Sequence, residues 1–244
     1  MILLLDCGNT RVKWRLVDGG TIVHKGGGIL AESLPFDLLG PYGSKIVRVS
    51  VSTVASEESR LRLEEALATF TTAPVHYYWS EASRAGLMNS YKDISKMGAD
   101  RWHGMVAGWS ALRQSFAVVD AGSAVTIDYV NGQGLHLGGY ILPGLQMMRR
   151  SLKLDAARIG FEYDDQINAA PGQSTGECAN HGLAWLTESL VERLHGDVGR
   201  LGLGRILLTG GDAGRFLALG LRAEHRPDLV LEGLEIIDRQ EQMA

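Results

Sequence analysis

Two cysteines in 244 residues, Cys7 and Cys178, leave no disulfide framework and no thiolate metal cluster. No apolar run approaches the roughly 20 residues that a membrane-crossing helix needs. Met1 to Leu5 is apolar, but Asp6 cuts it short and no basic segment precedes it, so it does not read as a secretory signal. The phosphate loop GxxxxGK[ST] is missing, as are the His-Arg-Asp and Asp-Phe-Gly motifs of protein kinases and the GxSxG of serine hydrolases. The seven histidines (His24, His76, His103, His136, His181, His195, His225) show no metal spacing such as HExxH. His103 is the one near a candidate site, and it is expected to face solvent or pack on its helix rather than catalyse. An excess of basic charge is missing too. The net charge of -4 argues against a nucleic-acid binder held by phosphate contacts. What remains is a cytoplasmic protein with neither a membrane nor a nucleic-acid partner.

What is present is a core and many turns. Hydrophobic content is 45%, charged content 21%, and there are 31 glycines, which suits a folded α/β chain with tight connections. The first stretch sets the pattern. Ile2 to Leu5 reads as a buried strand ending on Asp6. Cys7-Gly8-Asn9-Thr10 is a turn, with Gly8 and Asn9 suited to left-handed backbone angles. Arg11 to Val17 alternates polar and apolar residues, a second strand with one wet face. Backbone N–H groups and hydroxyls at such a tip can hold phosphate oxygens. The nearby acid can hold a hydrated magnesium ion. An N-terminal hairpin with an ordinary turn is the alternative.

The stretch recurs. Phe116 to Asp120 is again an apolar strand ending on an acid, Ala121 to Ala124 is again a small turn, and Val125 to Val130 alternates. Asp6 superposes on Asp120, Gly8 on Gly122 and Asn9 on Ser123, so the chain reads as a duplicated unit. Two such hairpins could clamp a triphosphate. The division expected is 1–104 and 105–244.

Between and after the hairpins the signals alternate between strand and helix, an α/β layer arrangement. Gly26-Gly27-Gly28 reads as a flexible connection, and residues 31–39 as a short helix stopped by Gly40-Pro41. Strands are expected at 45–51 and 75–79, with a helix at 56–70 capped by Ser56. An irregular stretch at 89–97 leads into Gly98-Ala99-Asp100-Arg101 and a helix over 100–114. Asp100 there is either an N-cap or a substrate-facing acid. Later come a strand at 134–141, a helix at 145–152 and a long loop at 155–173. Next, Thr175 is either a helix cap or a hydroxyl donor to a ligand. A strand at 204–209 leads into Gly210 to Gly214, a loop after a strand and before a helix, where nucleotides commonly bind. A small buried thiol is expected for Cys7.

Asp6-Cys-Gly-Asn-Thr10, Gly98-Ala-Asp-Arg101, Asp120-Ala-Gly-Ser-Ala124, Gly138-Gly-Tyr-Ile-Leu-Pro-Gly144 and Thr209-Gly-Gly211 occur in the order seen in type III pantothenate kinases, which the chain resembles from Met1 to about Asp238. The resemblance implies two duplicated actin-like (ribonuclease H-like) domains, each a mixed β-sheet flanked by helices. It implies ATP-dependent phosphorylation of the 4′-hydroxyl of pantothenate, the first step of coenzyme A synthesis. It further implies a homodimer with the substrate site near the interface, Mg²⁺, and a monovalent cation, K⁺ or NH₄⁺.

Carried over to this chain, Asp6, Cys7, Gly8, Asn9, Thr10, Arg11, Val12 and Lys13 would bind ATP together with Ser123. Asp6 would also hold Mg²⁺, directly or through water. Tyr91, Gly98, Ala99, Asp100, Arg101 and Thr175 would hold pantothenate, Thr175 from the partner subunit. Asp100 would be the general base and Asp120 a ligand of the monovalent cation. Lys13 shares a strand face with Arg11 and Arg15; either one of the three reaches the phosphates or all line the wet side of the hairpin. Ser123 stands where threonine is commoner, Cys7 fills a variable apolar slot, and Ser174 stands where asparagine is frequent. Two other readings stay open: another small-molecule kinase of the same superfold, or a regulatory protein accessory to transcription.

Overall fold

The computed structural model describes residues 1–8, 11–29, 36–155 and 160–243. The chain divides into two compact units, 1–111 with 228–244, and 112–227. The sequence pattern had put the boundary at 104/105 and left the C-terminal segment with the second half. Residues 105–111 and the last helix both belong to the first unit.

In the first unit, β1 (Ile2–Cys7) pairs antiparallel with β2 (Arg11–Asp18), and β2 with β3 (Thr21–Ile29). On its other side β1 pairs parallel with β4 (Arg48–Thr53), and β4 with β5 (Val75–Tyr78). The sheet order is β3-β2-β1-β4-β5. Parallel strands need a crossover, and α1 (Glu57–Ala68) supplies the one between β4 and β5. Ser56 caps it as expected, its Oγ accepting from the Ser59 N–H at 3.3 Å, with Glu57 and Glu58 in the first turn. A small hairpin follows, β6 (Ser83–Arg84) and β7 (Leu87–Met88), then α2 (Ala99–Leu112). Leu3, Leu5, Trp14, Val49 and Val51 bury one sheet face against Leu63 and Leu67 of α1.

The second unit repeats the plan. β8 (Phe116–Ala121), β9 (Ala124–Val130) and β10 (His136–Pro143) form the antiparallel part. After α3 (Leu145–Asp155) and α4 (Thr175–Leu201), β11 (Arg205–Thr209) pairs parallel with β8. α5 (Ala213–Ala218) and β12 (Glu224–His225) complete it, and the order is β10-β9-β8-β11-β12. Val119, Ile127, Leu194, Leu208 and Phe216 lie in its core. The final helix, α6 (Leu229–Glu241), places Leu231 and Leu234 against Leu4 and Val17 of the first sheet.

Three local expectations are corrected. Gly26-Gly27-Gly28 is not a flexible connection but part of β3, and a Cβ at Gly26 would stand 2.6 Å from the Trp14 indole. The chain there lies too close to β2 for a side chain. The helix expected over 31–39 falls partly on residues 30–35, outside the described ones; its described end is a 3₁₀ segment, Asp37–Lys45, that runs through Gly40-Pro41. The wet face of β2 stops at Lys13, because Arg15 is 5% exposed beneath α6.

Candidate active site

Asp6 and Asp120 occupy equivalent places. Each is the penultimate residue of the central strand of its sheet, followed by a turn. Asp6 stands opposite Lys13 on β2 and beside Ser52 on β4. Asp120 stands opposite Thr126 on β9 and beside Thr209 on β11. The second hairpin is one residue tighter, since six positions separate its paired residues where seven separate Asp6 from Lys13. In the first turn the Gly8 N–H donates to Arg11 O at 3.0 Å; in the second, the Gly122 N–H donates to Ala124 O at 3.0 Å. Asn9 and Thr10, expected to bind phosphate, lie outside the described residues.

The cations of β2 are now distinguished. Arg15 is committed to the C-terminal helix, with Asp228 at 3.2 Å, Glu235 at 3.5 Å and Glu232 at 3.9 Å. Arg11 is exposed and Lys13 half-buried. Val12 points into the core. Cys7 is also buried. Burial and the neighbouring Asp6 charge push its thiol up, so it stays protonated and is no nucleophile.

The turn before α2 is built around Asp100. A Cβ on Gly98 would stand 2.6 Å from Asp100 Oδ1 and 3.3 Å from Val54, so only glycine lets the carboxylate fold back over the turn. Asp100 Oδ1 also accepts from the Arg101 N–H at 2.7 Å. Ser80 Oγ bonds the carbonyls of Met97 and Gly98 at 3.0 and 3.2 Å. Ala99 is buried at the start of α2. Arg101 is no surface charge. It is 5% exposed, donates to Tyr91 Oη at 2.5 Å, and lies 5.4 Å from the Tyr91 ring. The irregular stretch is held by Asn89, whose amide donates to Glu81 O and accepts from the Tyr91 N–H at 3.1 and 3.0 Å.

Beneath this turn is a pair that sequence reasoning missed. His103, one helical turn after Asp100, is fully buried and its Nδ1 lies 2.8 Å from Ser52 Oγ. His103 was expected to face solvent or to pack on its helix; it does not face solvent. Burial, helped by the Arg84 charge, drops its pKa to about 3, so it is neutral near pH 7 and fixes α2 to the strand beside Asp6. The signal available in the sequence was only the alternation of Ser50 and Ser52 in β4.

In the second unit, two segments support the hairpin turn. A Cβ on Gly144 would stand 2.4 Å from the carbonyl oxygens of Gly122 and Ser123, and the Gly144 N–H donates to Ser123 O at 3.2 Å. The loop after β11 also packs here, the Asp212 N–H donating to Ala121 O at 2.8 Å. This is the loop picked out as following a strand and preceding a helix. Ser174, not Thr175, caps α4. Its Oγ accepts from the Glu177 N–H at 3.2 Å, while Glu177 accepts from the Gln173 N–H at 2.7 Å. The exposed Thr175 hydroxyl is thereby spared from the cap.

Among the described residues no three His, Cys, Asp or Glu side chains cluster as a metal site. Mg²⁺ does not need such a cluster, because it commonly takes one or two carboxylates with substrate phosphates and water. Asp6 fits that pattern. The Asp120 carboxylate, 3.3 Å from a Cβ built on Gly122, is a hard oxygen donor of the kind an alkali cation takes.

The profile of the type III pantothenate kinase family matches residues 2–197. A type III pantothenate kinase of Marinobacter nauticus is 61% identical over 237 residues, covering 97% of this chain and 98% of that protein. The chain belongs to the type III pantothenate kinase family. A pantothenate kinase of this type from Pseudomonas aeruginosa is 35% identical over 248 residues, 97% of this chain and 98% of that one. Among solved structures, a Campylobacter jejuni protein assigned to the Baf family of transcriptional activators superposes with a TM-score of 0.61 at 19% identity, over 99% of this chain and 100% of that chain. The activator of 2-hydroxyisocaproyl-CoA dehydratase from Clostridium difficile gives 0.50 at 12% identity, over 99% and 97%. At those identities the likeness speaks for the fold alone. It is the duplicated actin-like fold that the two equivalent sheets already describe.

Proposed function

We propose that this pantothenate kinase transfers the γ-phosphoryl group of ATP to the 4′-hydroxyl of pantothenate, giving 4′-phosphopantothenate for coenzyme A synthesis. The observation that carries this reading is the Gly98–Arg101 turn, which a chain of this family builds around one carboxylate backed by a buried arginine. Phosphoryl transfer asks the protein mainly for positioning and charge neutralisation. The turn N–H groups, Lys13 or Arg11, and the Ser123 hydroxyl hold the phosphates. Gly98 to Arg101 and Tyr91 orient pantothenate, and Asp100 accepts the hydroxyl proton as the new P–O bond forms. Mg²⁺ at Asp6 and K⁺ or NH₄⁺ at Asp120 supply positive charge to the phosphates when bound. The enzyme acts in the cytoplasm as a homodimer in which Thr175 reaches the partner's pantothenate.

The test is an ATP-dependent phosphorylation assay with pantothenate, run in K⁺ and again in Na⁺. Transfer in K⁺ that collapses in Na⁺ is expected. A rate indifferent to the cation removes Asp120 from that role. Transfer to a different hydroxyl acceptor favours the sibling kinase reading. ATP binding without transfer to any acceptor favours a regulatory protein.

A further inference from the structure

Two guanidinium groups of the second unit are left unused by the reaction described above. Arg149 sits on α3, whose first residues pack on the turn through Gly144. Arg215 sits on α5, directly after the loop tied to Ala121 by Asp212. Both helices thus follow residues that hydrogen-bond to the second hairpin around its turn. Arg149 is 4% exposed and donates to Asp164 O at 2.9 Å and Asp165 at 3.4 Å, over the Tyr163 ring. Arg215 is half-buried, and among the described residues no carboxylate lies within ion-pair distance of it. The Nε atoms of both arginines are buried without a hydrogen-bond partner.

The carboxylates near these two guanidinium groups are Asp165 and Asp212. Asp165 faces water and counters Arg149 weakly. Burial raises the Asp212 carboxyl against the pull of Arg215 and Arg149. Burial and then the Arg149 charge push Arg215 down, and Asp212 and Asp165 offset this only in part. Lys153 adds a third cation, 4.0 Å from the Tyr163 ring. A desolvated arginine beside another arginine, without a carboxylate of its own, is stabilised by a bound anion. Planar guanidinium forks suit phosphate oxygens.

We propose that Arg215, backed by Arg149, forms an anion subsite for a phosphate group of the bound nucleotide, extending the second hairpin turn. The subsite rests on the ATP-dependent reading above and names residues that reading leaves idle. Arg149 also anchors residues 164 and 165, so Arg215 is the position to change.

The protein would be tested by thermal shift with pyrophosphate and with ADP, and by the KM for ATP. In R215Q the pyrophosphate shift should vanish and the KM for ATP should rise about tenfold or more, as expected for loss of a charge-assisted contact. The KM for pantothenate should stay within about twofold of wild type. R215K, which keeps the charge without the fork, should fall between and guards against misfolding of R215Q. An unchanged pyrophosphate shift and ATP KM in R215Q overturn the subsite while leaving the kinase reading intact. A pyrophosphate shift that depends on Arg215, in a protein that phosphorylates no pantothenate, supports the subsite and overturns the kinase reading. A wild-type protein indifferent to pyrophosphate and ADP overturns both.

Discussion

Replacing Asp100 by asparagine is expected to lower kcat by about 10²–10⁴-fold while the protein stays folded. Asparagine keeps the size of the side chain, and its amide oxygen can still accept from the Arg101 N–H. The turn over Gly98 therefore survives. What disappears is the ability to accept a proton from an alcohol. The KM for pantothenate should change little, because Arg101 and Tyr91 remain paired. Steady-state kinetics with a thermal melt of the same sample checks both parts. A D100N enzyme with near-normal turnover would remove Asp100 from the role of base.

The largest expected loss of stability comes from Asp238. This fully buried carboxylate joins α6 to β4 and β5. It accepts from Arg48 Nε and Nη2 at 2.8 and 2.7 Å, from Ser50 Oγ at 2.6 Å and from Tyr78 Oη at 3.1 Å. Removing one partner of such a pair strands the other charge, at a cost of roughly 3–5 kcal/mol. D238A should show that loss in urea denaturation. A change below about 1 kcal/mol, the range of an exposed ion pair, would contradict the assignment. Burial alone would raise the Asp238 carboxyl, but the bonds from Arg48, Ser50 and Tyr78 win and hold it below its ordinary value. Its contribution is therefore present above the ordinary carboxylate range, near pH 3.9, and is lost as pH falls through the lower folded value. The wild-type protein should lose stability in acid at a pH where D238A no longer responds.

The duplication was legible because it is written in local chemistry. An apolar run, an acid, a small turn and an alternating strand announce a hairpin wherever they occur, and both copies folded as such. The cap at Ser56 was legible for the same reason. Contacts between residues far apart in sequence were not. Arg15 alternates like a solvent-facing residue, and only three acids more than 200 positions away bury it. Val230, Leu234 and Ile237 have helical spacing, but nothing local says that they return to the first sheet. Gly26 reads as flexible until the Trp14 indole beneath it is seen. In the candidate site, the acids and glycines stood out, while the Ser52–His103 pair and the commitment of Arg101 to Tyr91 needed coordinates. Ser174 illustrates a near miss. The Ser-x-x-Glu spacing marks it as the cap, which frees Thr175.

The proposed phosphoryl transfer depends on two carboxylates, Asp6 and Asp120, each at the end of the central strand of its own unit. Its most direct test is the rate of pantothenate phosphorylation by Asp6→Asn and by Asp120→Asn, each assayed at saturating ATP, Mg²⁺ and K⁺. Both variants should lose about 10²-fold or more, as for loss of a charge-stabilising group at a reacting phosphate. Wild-type turnover in either variant would mean that its hairpin is an ordinary turn.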